Sequence, residues 1–133
     1  MSGHRAFTLL EVVVAMLLLA IGLLALVALQ IRAIRSNSFS NGLTVASCFA
    51  RNQIETLRAA SAADWNSVAD GTFSEILRDT NPNTGATRRV FTRRWLIQTE
   101  PSGRMRTVSV TVSWNQDGRP HQTTMDTLIA NRQ

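Results

Sequence analysis

The sequence predicts an α+β fold: a long N-terminal helix, its first half apolar enough to cross a membrane, packed on a three- to four-stranded antiparallel sheet. Three observations predict it. Residues 12–29 contain no charged or strongly polar side chain, Phe39, Leu43, Ala46, Ala50, Ile54 and Leu57 recur at spacings of three or four, and Val108, Val110, Val112 and Trp114 alternate with Ser109, Thr111 and Ser113. A chain of 133 residues has room for one compact domain.

The first element is the apolar run, which extends back to Phe7 with Thr8 and Glu11 as its polar members. As a helix, residues 7–29 would measure roughly 35 Å at about 1.5 Å per residue, enough to cross a hydrocarbon layer of about 30 Å. A conventional secretory signal would use His4 and Arg5 as its basic start and a small-residue site between Ala25 and Ala28. Against it, the run exceeds the usual apolar core of about 7 to 15 residues, and Glu11 would place a carboxylate inside. A plain single-pass anchor satisfies the length but leaves Glu11 unexplained.

An ionised carboxylate among Leu, Val and Ala costs on the order of 3 kcal/mol at a bilayer centre. One account puts Glu11 near the interface, a turn from the helix start, where the helix dipole favours an anion. The other pairs it with a cation at similar depth. At an effective dielectric of about 20, two charges about 4 Å apart gain on the order of 4 kcal/mol, comparable to the burial cost. Cleavage after Ala6 would create such a cation, the free amine of Phe7.

The run Ala6-Phe7-Thr8-Leu9-Leu10-Glu11-Val12-Val13-Val14-Ala15 resembles the class III signal of type IV pilins and type II secretion pseudopilins. That signal has a short polar leader, a small residue before the cut, a Phe after it and a Glu four residues beyond the Phe. The resemblance implies a leader at residues 1–6, cleavage by a prepilin peptidase between Ala6 and Phe7, N-methylation of Phe7, and pairing of Glu11 with the Phe7 amine of a neighbouring subunit. Two features depart from the family pattern. Ala6 stands where Gly is usual, and a cut after Gly3 would instead put His4 first and Glu11 at the wrong distance. Arg32 and Arg35 follow the apolar run while only His4 and Arg5 precede it, opposite to the positive-inside bias.

The apolar stripe from Phe39 to Leu57, with Arg51, Asn52, Glu55 and Arg58 on other faces, predicts that the helix continues to about Ala60. Residues 36–42 are weak helix formers that would bend or loosen it. Residues 31–133 form the globular domain. Within it, residues 60–89 read as an irregular, polar, variable loop, with a short helix or strand at 73–78 and Trp65 plugging the core edge. The sheet occupies residues 90–130. Its first strand spans 90–100 and ends at Pro101-Ser102-Gly103. The clear alternation of 108–114 is the second, the Asp117-Gly118 turn follows, and Met125, Thr127 and Ile129 mark the third. A long helix on such a sheet is similar to the pilin fold.

Other features constrain function. The formal charge is +5 and all its basic residues are arginine, which permits but does not select an anionic partner. The single cysteine, Cys48, excludes an internal disulfide and reads as a small buried helix residue. Asp79, Asn81 and Asn83 before Gly85 imitate an oxygen-rich calcium loop, but Gly falls one place late and Val90 stands where the closing Glu belongs, so an Asn-Pro turn is expected and no metal site is assigned. Arg88, Arg89, Arg93 and Arg94 are the densest basic patch. Neighbouring strand residues face opposite ways, so at most half share a surface, either contacting DNA or forming a solvated or subunit-facing edge. Once the leader is cut, His121, beside a Pro in a turn, is the remaining histidine; no partner is placed for it, and neither catalysis nor a cofactor is expected.

Within the family, residues 20–26, the segment Asn52-Gln53-Ile54-Glu55-Thr56-Leu57-Arg58 and the late Val-x-Val-x-Val-x-Trp strand resemble the PilV-type minor pilins (type IV pilus modification proteins) and the minor pseudopilins of type II secretion. The absence of a C-terminal cysteine pair separates the chain from a typical major pilin. The resemblance implies a single-pass subunit of the bacterial inner membrane that joins major and minor pilins in a pilus or pseudopilus, at the tip or priming complex. The competing class is a membrane-anchored binding module that presents the arginines of its sheet to a ligand.

Overall fold

The structure, a computed structural model, describes residues 8–131. The chain divides into two units, Met1–Ser38 and Phe39–Gln133. Helix α1, Leu9–Ala63, contributes to both. It starts behind Thr8, whose carbonyl accepts the amides of Glu11 at 3.0 Å and Val12 at 3.3 Å and so satisfies donors of the first turn. The weak helix formers of 36–42 do not interrupt it.

In the first unit every residue from 8 to 37 is exposed. In the second, α1 buries Gly42, Ala46, Ala50, Gln53, Ile54, Leu57 and Ser61. This is the expected stripe rotated slightly. Leu43 stays 37% exposed, and Gly42 takes the inward place because a residue without Cβ lets Arg89 and Trp114 lie against the helix. Cys48 is exposed, correcting the expectation of burial. It sits two residues from both Ala46 and Ala50, and steps of two at about 100° each carry a side chain to the far side of a helix.

Beyond Ala63, Asp64 caps a short turn at Trp65–Ser67 by accepting the amide of Asn66 at 2.9 Å. Four strands follow: β1, Gly71–Thr80; β2, Thr87–Thr99; β3, Met105–Gln116; and β4, Arg119–Ala130. They form one antiparallel meander in the order β1-β2-β3-β4. The expected helix-on-sheet, α+β, pilin-like architecture is present, and the short helix or strand expected at 73–78 within the polar 60–89 segment is a full fourth strand, β1. Its pattern was hard to read because both faces mix classes: Phe73, Glu75 and Leu77 on one, Ser74, Ile76 and Arg78 on the other.

The Asp117-Gly118 turn has φ of 51° and 73°. Two consecutive left-handed residues define the tight hairpin whose twist matches its strands, and it sets the register Gln116↔Arg119. That register puts Val108, Val110, Val112 and Trp114 on the helix side, with Phe91 and Ile97 of β2 beside them and Ile129 of β4 in the same core. Phe91, Val108, Val110 and Val112 are fully buried. At about 1.5–3 kcal/mol for each such side chain, these residues supply much of the force holding helix to sheet.

Candidate functional site

Among the described residues, the first unit is a helix that buries none of its large apolar side chains. Leu9, Leu10 and Leu24 are 85%, 74% and 71% exposed, and the other large apolar side chains from Val12 to Leu29 are 46–68% exposed. Among the described residues this is one helix long and apolar enough to cross a membrane. A helix apolar on every side needs hydrocarbon or other helices around it. With each Leu or Val worth about 1.5–3 kcal/mol when covered, the run carries tens of kcal/mol of drive toward such surroundings. Gly22 has no atom within 4 Å of where a Cβ would stand, leaving an open place for another helix to approach.

Glu11 lies in the first turn of α1, exposed, its amide held by Thr8. Among the described residues its carboxylate has no partner. The cleavage and methylation residues, Ala6 and Phe7, lie outside the described residues.

In the second unit the four clustered arginines separate. Arg89 and Arg93 share the helix side of β2 with Phe91 and Ile97, whereas Arg88 and Arg94 lie on the outer face. Arg93 joins three elements. It pairs with Glu75 directly across on β1, donates to the carbonyl of Phe49 on α1 at 3.1 Å, and rests 5.5 Å from the ring of Trp95. Arg93 is thus spent on structure, Arg89 lies against the helix at Gly42, and the patch is not a continuous basic surface.

Sequence reasoning missed a second arginine of this kind. Arg106 is buried; it donates to the carbonyl of Trp65 at 2.5 Å and to Thr99 Oγ1 at 2.9 Å, and lies 4.1 Å over the Trp65 ring. Thr99 in turn donates its hydroxyl at 2.6 Å and its amide at 3.1 Å to Asp70. The hydroxyl and then the amide of Thr99, with the charge of Arg106 behind them, hold the Asp70 carboxyl below its ordinary value of 3.8. The signal was available: Arg106 falls in phase with Val108, Val110, Val112 and Trp114.

His121 lies in β4 rather than in a turn, stacked on Trp114 at 5.6 Å and tilted against Phe39 at 5.1 Å. At the calcium-like stretch, Asn81 Oδ1 accepts the amide of Asn83 at 3.0 Å and its carbonyl accepts that of Gly85 at 2.8 Å, the turn expected there. Among the described residues no group of three His, Cys, Asp or Glu side chains is placed to hold a metal.

A family model described as the prokaryotic N-terminal methylation motif matches residues 1–27. No curated protein and no solved structure matches the chain. The motif is a type IV prepilin-like signal, which implies processing by a prepilin peptidase and assembly with other pilins. Joined to the exposed apolar helix and its sheet-bearing unit, it supports a type IV pilin-like or pseudopilin class. The helix and the motif are both consistent with membrane anchoring.

Proposed function

We propose that the chain is a minor pilin of a type IV pilus, cut between Ala6 and Phe7, methylated on the Phe7 amine, stored across the bacterial inner membrane and then built into the tip or priming complex of the filament. The observation that carries this reading is Glu11. Among the described residues it is a carboxylate without a partner, in the first turn of a helix whose following run is apolar and exposed, four residues beyond Phe7, within the segment matched by the methylation motif. In this reading the bilayer and the filament are alternative covers for the same apolar surface, and the Phe7 amine of a neighbour supplies the charge that Glu11 lacks. The Coulomb gain of such a pair, about 4 kcal/mol at an effective dielectric of about 20, favours the correct stagger between subunits.

Replacing Glu11 with Val tests the pairing. The variant should still fractionate with the inner membrane, because the helix becomes more apolar, while its content in sheared filaments falls at least ten-fold. Normal content in filaments would contradict the role given to Glu11.

A further inference from the structure

The ionisable groups of the second unit are sorted along its sheet. At the end where Arg106 covers Trp65, Asp64, Asp70 and Glu100 outnumber Arg104 and Arg106. The opposite end carries both the β1–β2 connection at 81–86 and the Asp117-Gly118 turn, because Phe91 and His121 each pair with Trp114 and the chains run on from there to those turns. Here Arg78, Arg88, Arg89 and Arg119 face only Asp79 and Asp117. Arg78, Arg88 and Arg119 are exposed and without an ion pair or hydrogen bond among the described residues. Val90, paired with Arg78 and 48% exposed, adds an aliphatic side chain beside Arg78 and Arg88 on the outer face, while Arg119 reaches the same end from the helix-side register.

This basic end is also the one at which α1 enters the unit, since Phe39 lies 5.1 Å from His121. Only residues 30–38 separate Phe39 from the uninterrupted apolar run. A subunit anchored by that run therefore keeps this end of its sheet on a short tether to the membrane, whatever the orientation of the unit.

We propose that the Arg78, Arg88 and Arg119 end of the sheet docks on the anionic phospholipid surface of the membrane that stores the subunit. The proposal rests on the membrane-stored reading above. Charge complementarity and tethering favour lipid over nucleic acid. Three unpaired arginines are few for duplex DNA, where proteins making roughly 6–10 phosphate contacts already lose most of their affinity at moderate salt. A tethered surface needs far less intrinsic affinity, because anchoring makes the contact intramolecular. Each arginine near an anionic bilayer contributes about five-fold to the docking equilibrium, and extraction into a filament would have to release all of them.

The test uses the full chain reconstituted into phosphatidylcholine vesicles with or without about one third phosphatidylglycerol, an anionic fraction large enough to give each arginine its share of the surface potential. Hydrogen exchange is read at 81–88 and 117–119, with residues 108–114 of β3 as the fold control. The expected result is exchange at both tips slowed on the order of ten-fold by phosphatidylglycerol, reversed by high salt and absent in an R78Q/R88Q/R119Q variant whose β3 exchange is unchanged. Equal tip exchange in the two vesicle types, or a triple variant that responds like the natural chain, would overturn the docking while leaving membrane storage intact. Equal protection by duplex DNA added to the neutral vesicles would overturn it in favour of nucleic acid. A chain that fails to float with either vesicle would overturn the storage reading, and the docking with it.

Discussion

Arg106 lies 4.1 Å above the ring of Trp65 while donating to that same residue's carbonyl at 2.5 Å. Through Thr99 it is continuous with Asp70, so one guanidinium ties the turn after α1 to the start of β1 and to the β2–β3 end of the sheet. The segment bears the load of joining helix to sheet despite its loop-like composition. Replacing Arg106 with Ala removes bonds to a charged donor, each about 1.5–3 kcal/mol, and a cation–π contact of about 0.5–2 kcal/mol. Urea unfolding of the full chain in detergent, followed by tryptophan fluorescence, should show a loss of about 3 kcal/mol. Arg106→Lys should recover less than half, since an ammonium cannot reach both acceptors.

Asp70 gives the same network a pH signature. Its carboxyl is held below 3.8, chiefly by the Thr99 hydroxyl, then by the Thr99 amide and the charge of Arg106. A depressed folded-state pKa contributes stability that is complete above the unfolded value and is lost as pH falls through the folded one. The stability difference between the natural chain and Asp70→Asn should therefore be constant from about pH 7 down to about 5 and shrink below 3.8. Thr99→Val should abolish that shrinkage. Unfolding midpoints at successive pH values measure it.

Gly42 is set by proximity to Arg89 and Trp114. A Cβ there would stand 2.6 Å from Arg89 Nη1 and 3.0 Å from Trp114 Nε1. The end of an arginine can move, and Ala gains about 1 kcal/mol of helix propensity over Gly, so Gly42→Ala should change stability by less than about 1 kcal/mol. Gly42→Leu cannot be accommodated this way, because the indole is fixed between Phe39 and Phe91. It should cost about 2 kcal/mol or more, in the range of overpacked cores, read by the same unfolding assay.

Arg93 and Glu75 are unequal partners. Glu75 is about half exposed, whereas Arg93 is largely buried and also holds the Phe49 carbonyl. Glu75→Ala should cost under about 1 kcal/mol, as exposed ion pairs do. Arg93→Ala should cost about 2 kcal/mol, since it also deletes a charged hydrogen bond inside the unit. A double-mutant cycle should return a coupling no larger than the Glu75 effect.

The elements with one dominant period were legible. The 108–114 alternation, the Asp117-Gly118 turn and the stripe through Ala46, Ala50, Ile54 and Leu57 each carry their geometry locally. Strand β1 was legible only as a short helix or strand at 73–78, since an edge strand with Glu75 on its inner face and Ile76 on its outer face has no clean period. Cys48 was misassigned by weighing residue type above helical phase, although two steps from Ala46 already turn it outward. Gly42 and Arg106 were missed because their burial depends on what approaches them from another element. For the candidate site, Glu11 was evident at once, as a lone carboxylate in an apolar run. The gathering of Arg78, Arg88 and Arg119 at one end was invisible, because it depends on strand register across residues far apart in sequence.

The pilin reading requires that removal of a leader free a cation for Glu11. This is tested by the intact mass and N-terminal sequence of the chain recovered from the membranes of cells with an active prepilin peptidase. The expected chain begins at Phe7, lacks residues 1–6 and carries one added methyl group. A chain recovered with Met1 to Ala6 still attached would contradict that reading.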